Sequence, residues 1–494
     1  MAKLSLHTEI ECEPISENNH KFALTRVQLD RWRSQFYATP LNRLAQNICT
    51  TSDPIRACLR QDLTSLAMPG KIQHKLEKVI KPTADGPNWL CAGLDLLRLA
   101  MKKDCELSVP YLFYWHKLER CNYVLNSVVE LLERCEPLDG RTFQYLMKHL
   151  VPDGGNWQMF VNLVQKYGIM PHKCYFVSWS ASRSLHLNKM LRSKLHEFSS
   201  RLHAQFTFDG DGSNLPSMVK AMAEELYKII SICLGTPPLE FSWTFKNEKK
   251  GKTYTPMSFY QSFVAPFLTL NAQICLGHDP RLSSGYQRNY CIAYACNMVD
   301  GLQQSYNNQP VEKLLEIMVA SLAAGSAVWL VCDLQAIFNT KSEVLSLVTH
   351  NFEQVFSMSV GTELNKAQRL EYKETRRNTV LLLTEVIVDE MQKPLQFRTI
   401  TTAAETATKK SESNTTLQGE DEEDEDDTET EIETAAKRKS SKAKATVINV
   451  DWLREYAFEI VIDTLFVPLD VLHAAQTQPY VELPIWDPMG ALLS

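Results

Sequence analysis

Pro82-Thr83-Ala84-Asp85-Gly86-Pro87-Asn88-Trp89, running without a break into Leu90-Cys91-Ala92-Gly93-Leu94-Asp95-Leu96-Leu97-Arg98-Leu99-Ala100, decides how this chain is read. Its first half is rich in Pro, Asp and Gly and is a turn; its second half is an apolar run with Leu at helical spacing. A loop therefore delivers the chain into a buried helix, with Asn88 as the expected N-cap. That spot is chemically privileged, because unpaired N–H groups and the positive end of the helix dipole favour negative charge there. An amide side chain brings none.

Downstream, Pro110 to Cys121 continues through Tyr123, Leu125, Val128, Leu131 and Leu132 as a long amphipathic helix with an aromatic stripe. So few basic residues are interleaved that the stripe is core rather than a base-stacking surface. Asp153-Gly154-Gly155-Asn156-Trp157 lets backbone approach closely, which suits a cleft wall and a tight turn equally. Leu187 to Leu202 and Met218 to Cys233 are helical by spacing. Leu239, Phe241, Trp243 and Phe245 alternate with polar residues as in a half-buried strand, followed by a solvated turn at 246–252. A helix is expected through Phe259, Phe263 and Phe267, and another from Tyr306-Asn307-Asn308-Gln309-Pro310 to Leu322, ended by Gly325. Ala327 to Cys332 is a buried strand, and Met358-Ser359-Val360 and Val380 to Thr384 are strand-like. Upstream, Thr25 to Ile48 is helical with a break at Pro40, and Ser52-Asp53-Pro54 opens a short helix over Ala57 to Leu66, giving an N-terminal arm over residues 1–66.

Taken in order, these stretches resemble bleomycin hydrolases, which are papain-like thiol peptidases, over nearly the whole chain outside residues 402–447. The resemblance implies an α+β, papain-like fold, a helical half plus an antiparallel β half with helical and hairpin insertions. The body would span 67–401 and resume at 448–494 with a C-terminal arm. It also implies what should stand at the site. In that family a cysteine immediately precedes the tryptophan and a glutamine lies six residues upstream; here those positions hold Asn88 and Pro82. Pro82 has neither a carboxamide nor a backbone N–H to offer an oxyanion. Asn365-Lys366-Ala367-Gln368-Arg369-Leu370 is similar to the lead-in of the strand bearing the catalytic histidine, which places Thr379 at the base. No histidine occurs between His350 and His473, so a small shift of register recovers none. The orienting asparagine falls near Thr401, without the Ser-Trp-Gly that follows it in the family.

A thiol peptidase needs thiolate, imidazole and an orienting carboxamide or carboxylate, and four positions have changed together. Cys91 is the candidate displaced nucleophile; amid Leu90, Ala92 and Leu94, burial would raise its pKa, and it reads first as a packed core cysteine. His116, His172 and His278 are taken as surface or helix residues rather than a replacement base. By resemblance, Trp486-Asp487-Pro488-Met489-Gly490-Ala491-Leu492 is the arm that lies in the cleft, so Gly490, Ala491, Leu492 and Ser494 are cleft residues. The family's aminopeptidase action inside a hexameric barrel depends on the terminal carboxylate there.

Composition excludes much else. With 494 residues, 44% hydrophobic and 22% charged, the chain can bury one large core or two to three smaller ones at one domain per ~150 residues. Thirteen cysteines with no Cys-x-x-Cys pair point to reduced thiols in the cytoplasm or nucleus. The uncharged stretch from Thr253 to Gly277 is broken by prolines, and the apolar run from Ile317 to Cys332 falls short of the ~18 residues that mark a membrane span. Eleven acidic and five basic residues between Glu420 and Lys444 account for the whole net charge of −6, leaving the rest near zero with no nucleic-acid face. Residues 402–447 are expected to be disordered. No metal cluster, phosphate loop or cofactor is indicated.

The expectation is a homo- or hetero-oligomeric barrel subunit that has lost peptidase chemistry, with peptides in the cleft as conceivable ligands. One alternative is a working aminopeptidase using Cys91. Another is an interaction protein acting through its acidic segment, with Lys437-Arg438-Lys439 a weak nuclear-import signal.

Overall fold

A computed structural model describes residues 23–60, 72–83, 86–210, 212–246, 248, 250–334, 338–339, 344–361, 363–400 and 446–493. Thr401, Ser494, residues 402–445 and the expected helix beyond Arg60 lie outside them. The chain forms two compact units, one of residues 1–60 with 350–363 and one of residues 61–349 with 364–494.

In the smaller unit, Thr25 opens the helix Arg26–Ala38 with a capping box to Gln28. Pro40 starts a second helix, Pro40–Cys49, as the break at that residue required. Of the helix expected over Ala57 to Leu66, only Ala57 to Arg60 are described, and there the helix is Pro54–Ala57, capped by Asp53. It stops because the next backbone groups are used elsewhere: Leu59 bridges His350, and Cys58 O accepts from Asn351 N at 2.8 Å. Met358 to Val360 is not a strand. Ser357, at φ 56°, ends the helix Phe352–Phe356, and among the described residues no strand pairs with the residues that follow.

The larger unit is the papain-like α+β body. Its helical half contains Asn88–Ala100, Val109–Glu133, Trp157–Tyr167, Leu185–Asp209 and Leu215–Leu234. The Asn88 helix lies close against the Trp157 helix because Gly93 leaves room; a Cβ there would sit 2.5 Å from the Phe160 ring. Trp157 packs edge-on against Trp329 of the sheet at 5.1 Å between centroids, joining the two halves in one core.

The sheet has twelve strands among the described residues. At its centre Ala457–Asp463 pairs with Val328–Cys332, which pairs with Thr379–Val388, then Pro394–Thr399 and Val447–Asn449. The pairing is antiparallel except at three places, where Tyr480–Leu483 meets Asn289–Ile292, Gln273–Gly277 meets Ser305–Asn308, and Val447–Asn449 meets Val344–Leu345. Val328 to Cys332 is wholly buried, the continuous apolar run expected of a strand covered on both faces. Thr446 and Val447, the last two residues of the span expected to be disordered, are instead placed in the sheet: Thr399 N donates to Thr446 O at 3.1 Å, and Val447 opens the strand Val447–Asn449.

Three further expectations are adjusted. Residues 305–308 form a strand, and the helix following Pro310 starts at Val311. The helix through Phe259 ends at Phe263, since Pro266 blocks its extension. The strand around Trp243 is confined to Phe241–Trp243, paired with Lys252–Tyr254 in the expected hairpin. No described helix is long and apolar enough to cross a membrane.

Candidate active-site groove

The Asn88 helix is tied to the loop before it from within. Asp95 accepts from Thr83 N at 2.9 Å and Thr83 Oγ1 at 2.6 Å, and Arg98 clamps Asp95 while donating to Lys81 O at 2.7 Å. Pro82 is thereby held beside the helix, half-buried. Asn88 is not the N-cap. Pro87 takes that place, and Asn88 is the first helical residue, its side chain free to reach elsewhere.

It reaches the sheet. Asn88 Oδ1 accepts from Val380 N at 2.7 Å, one residue beyond Thr379. Thr379 is fully buried, opens the strand Thr379–Val388, and faces Cys332 across the ladder. The two positions that the sequence places at nucleophile and base are therefore brought together, but as a carboxamide hydrogen-bonded to backbone beside an enclosed hydroxyl. Neither group can supply a nucleophile–base pair at neutral pH.

Cys91 lies one turn inside the helix, 6% exposed, its thiol donating to Gly86 O at 3.6 Å. Burial pushes up the thiols of Cys105 and Cys121 to about 12 and that of Cys275 well above its ordinary value, the opposite of activation. The histidines fall as follows. His116, on the helix Val109–Glu133, is fully buried edge-on to Trp89 at 5.0 Å, and burial, with Lys117 beside it, lowers its pKa to about 3. His172 is half-buried in a 3-10 turn. His278 is neither a surface nor a helix residue: it follows the strand Gln273–Gly277, buried, with Nδ1 3.0 Å from Gln309 O, because that strand end turns inward.

Trp89 fixes the opposite wall. Its Nε1 donates to Asp153 O at 2.9 Å. The Asp153 carboxylate accepts from Lys117 at 2.5 Å, from Asn188 at 2.9 Å and from Ser184. Burial would raise this carboxyl, but the Lys117 ammonium and the two further donors hold it below the usual carboxylate value. Both glycines permit a close approach: a Cβ on Gly155 would lie 2.5 Å from the Trp89 ring, and one on Gly154 would lie 2.7 Å from Leu493 O, so what lies against them is the chain's own C-terminal segment.

Gly155 and Leu493 form an antiparallel bridge, with Gly155 N to Leu493 O at 2.9 Å and Leu493 N to Gly155 O at 2.8 Å. Leu493 is fully buried, and Ala491 and Leu492 are half-buried. Upstream, Asp487 caps the turn Pro488–Gly490 and pairs with Arg281 at 2.9 Å, while Gly490 packs against Ile292. The Met489 carbonyl accepts from Gln304 Nε2 at 2.9 Å and from Arg377 Nη1 at 3.0 Å. Arg377 also pairs with Glu459 at 2.9 Å, both side chains being fully buried. Sequence reasoning missed Arg377, Glu459 and Gln304, since their partners lie far away in the chain, Glu459 82 and Met489 112 and 185 positions on. Among the described residues no group of three or more His, Cys, Asp or Glu could hold a metal ion.

A helix whose N-terminus meets a sheet strand, joining a helical half to a largely antiparallel sheet, is the layout of a papain-like α+β fold. The chain belongs to the peptidase C1-like family, whose model matches residues 23–410 and 402–490. It is 34% identical to bleomycin hydrolase from Gallus gallus, over 92% of this chain and 95% of that one. It is 33% identical to bleomycin hydrolase from Homo sapiens, over 91% and 94%. Aminopeptidase C from Streptococcus thermophilus is 25% identical over 85% of this chain and 87% of its own. The crystal structure of pepw from Lactobacillus rhamnosis shares the fold with a TM-score of 0.80 at 23% identity, covering 95% of this chain and 99% of that one.

Proposed function

We propose that this chain is a bleomycin-hydrolase-like pseudo-peptidase: it keeps the subunit scaffold and has lost cysteine peptidase chemistry. The observation that carries this reading is the Asn88–Val380 hydrogen bond, which commits the side chain at the nucleophile position to the strand that should present the base. Thr379 has no basic lone pair available at neutral pH, and the Thr401 position lacks the family's Ser-Trp-Gly sequel. Assembly with further copies is part of the proposal. In the N-terminal unit neither the helix Arg26–Ala38 nor Pro40–Cys49 buries a residue, although Val27, Trp32, Leu41 and Leu44 are 79%, 50%, 62% and 56% exposed. Monomeric proteins rarely leave apolar groups so clustered.

The test is an assay with aminoacyl-arylamide substrates and a thiol-reactive probe, alongside the native mass. A multiple of the 56.4 kDa chain without turnover supports the proposal. Turnover abolished by Cys91→Ala would overturn it in favour of a displaced nucleophile.

A further inference from the structure

Between the helices Arg141–Lys148 and Leu185–Asp209 lies a concavity of about 500 Å³, the size of a small-molecule site, lined by Arg141, Gln144, Tyr145, Met147, Lys148 and His196. Arg141, Gln144, Tyr145 and Lys148 recur at i, i+3, i+4 and i+7, one face of their helix, while Phe143 and Leu146 bury the other. None of the six lining residues is acidic. Among the described residues no carboxylate pairs with Arg141 or Lys148, and neither side chain donates a hydrogen bond. Arg141 sits over the Trp486 ring at 4.3 Å, which holds the guanidinium while keeping its N–H fork for another acceptor. His196 closes one side, with Nε2 3.1 Å from Met147 O. Tyr145 is held by His149, ring centroids 4.3 Å apart; burial pushes its phenol up, and the nearby Arg376 guanidinium opposes that rise. Positive groups gathered on one hollow repel each other, so the hollow gains from an anion.

We propose that this concavity binds a small phosphate monoester carrying an aromatic or apolar organic group. Arg141 and Lys148 take the phosphate, a dianion whose oxygens match the guanidinium fork, and Tyr145 and Met147 pack the organic part. A monoanion such as a carboxylate leaves more of the gathered positive charge unanswered. None of the six residues belongs to the Asn88 helix or to the strand Thr379–Val388, so the site goes beyond the pseudo-peptidase reading and does not depend on it.

Calorimetric titration of the full chain with phenyl phosphate tests it. Saturable binding is expected, weakened by added salt. Arg141→Gln with Lys148→Gln should weaken it at least about tenfold, the loss expected when a charge-assisted hydrogen bond goes. Both side chains are exposed, so the variant should keep its fold. Unchanged affinity in that variant would overturn the proposal. The unaltered protein decides it as well. Inorganic phosphate binding as tightly as phenyl phosphate would remove the part given to Tyr145 and Met147. Benzoate or a glutamate-rich peptide binding as tightly would remove the preference for a phosphate monoester, and a titration without saturable binding would remove the site; each of these results overturns the proposal. No readout here involves turnover, so failure of this site and failure of the pseudo-peptidase reading are told apart.

Discussion

The groove and the N-terminal unit treat their surfaces in opposite ways. Around the Asn88 helix the described side chains are already met by protein: Trp89 is fully buried, Gly155 lies against it, Leu493 is enclosed against Gly155, and the Asn88 amide is spent on Val380. In the N-terminal unit, two helices, the first opened by a capping box and the second by Pro40, leave Val27, Leu41 and Leu44 open to water. The difference teaches where partners are to be sought. A surface that completes itself has little to offer a ligand, whereas one that leaves its apolar side chains uncovered gains by association.

The contrast breaks most visibly at Trp89. Trp89→Ala should cost ~3–5 kcal/mol in urea unfolding, since it empties a fully buried site and frees the carbonyl of Asp153. A cost near zero would mean that the groove is not closed.

Acid should find the groove next. His116 has its pKa lowered by burial to about 3 from an ordinary 6.5, so the unfolded chain takes up this proton before the folded one does. The stability held by a neutral His116 is complete above about pH 6.5 and is lost as pH falls toward 3, at a slope of order 1 kcal/mol per pH unit. Denaturant midpoints between pH 7 and pH 4 should show that slope, and His116→Leu should flatten it.

Asn88→Ala is expected to destabilise by about 1–2 kcal/mol, because it strands the Val380 N–H. Asn88→Cys should give no arylamidase activity, since a thiol beside Thr379 still has no base; measurable turnover would show that a proton acceptor is present after all.

The smallest stability effect belongs to the other region. Leu41→Glu with Leu44→Glu should change unfolding free energy by no more than ~0.5 kcal/mol, as surface substitutions do, yet reduce the native mass to that of one chain. An unchanged mass would show that this face takes no part in assembly, and the contrast between the two regions would lose its meaning.

Local pattern made the scaffold legible. The Leu spacing after Trp89 and the apolar run at Val380 specify a buried helix and a buried strand without help from distant residues, and both occur. The side-chain roles were not local and so stayed hidden. Asn88 looks like an N-cap until its acceptor is seen to serve an amide 292 positions away. Arg377 draws no notice in the sequence because Glu459, the partner that allows it to be buried, stands 82 positions on. The Gly-Gly pair was undecided for the same reason, since its neighbour is the far end of the chain. His278 was misplaced because periodicity says nothing about which way a strand end turns.

The pairing of Pro394–Thr399 with Val447–Asn449 has a practical corollary. Thr399 and Thr446 are joined by a main-chain hydrogen bond, so the two strand ends that flank residues 401–445 form one narrow neck. Closing a span of different length there alters the free energy by only ~0.6 kcal/mol for each doubling. That neck is a natural socket in which a fluorescent reporter or an affinity handle could be grafted while the sheet keeps its register.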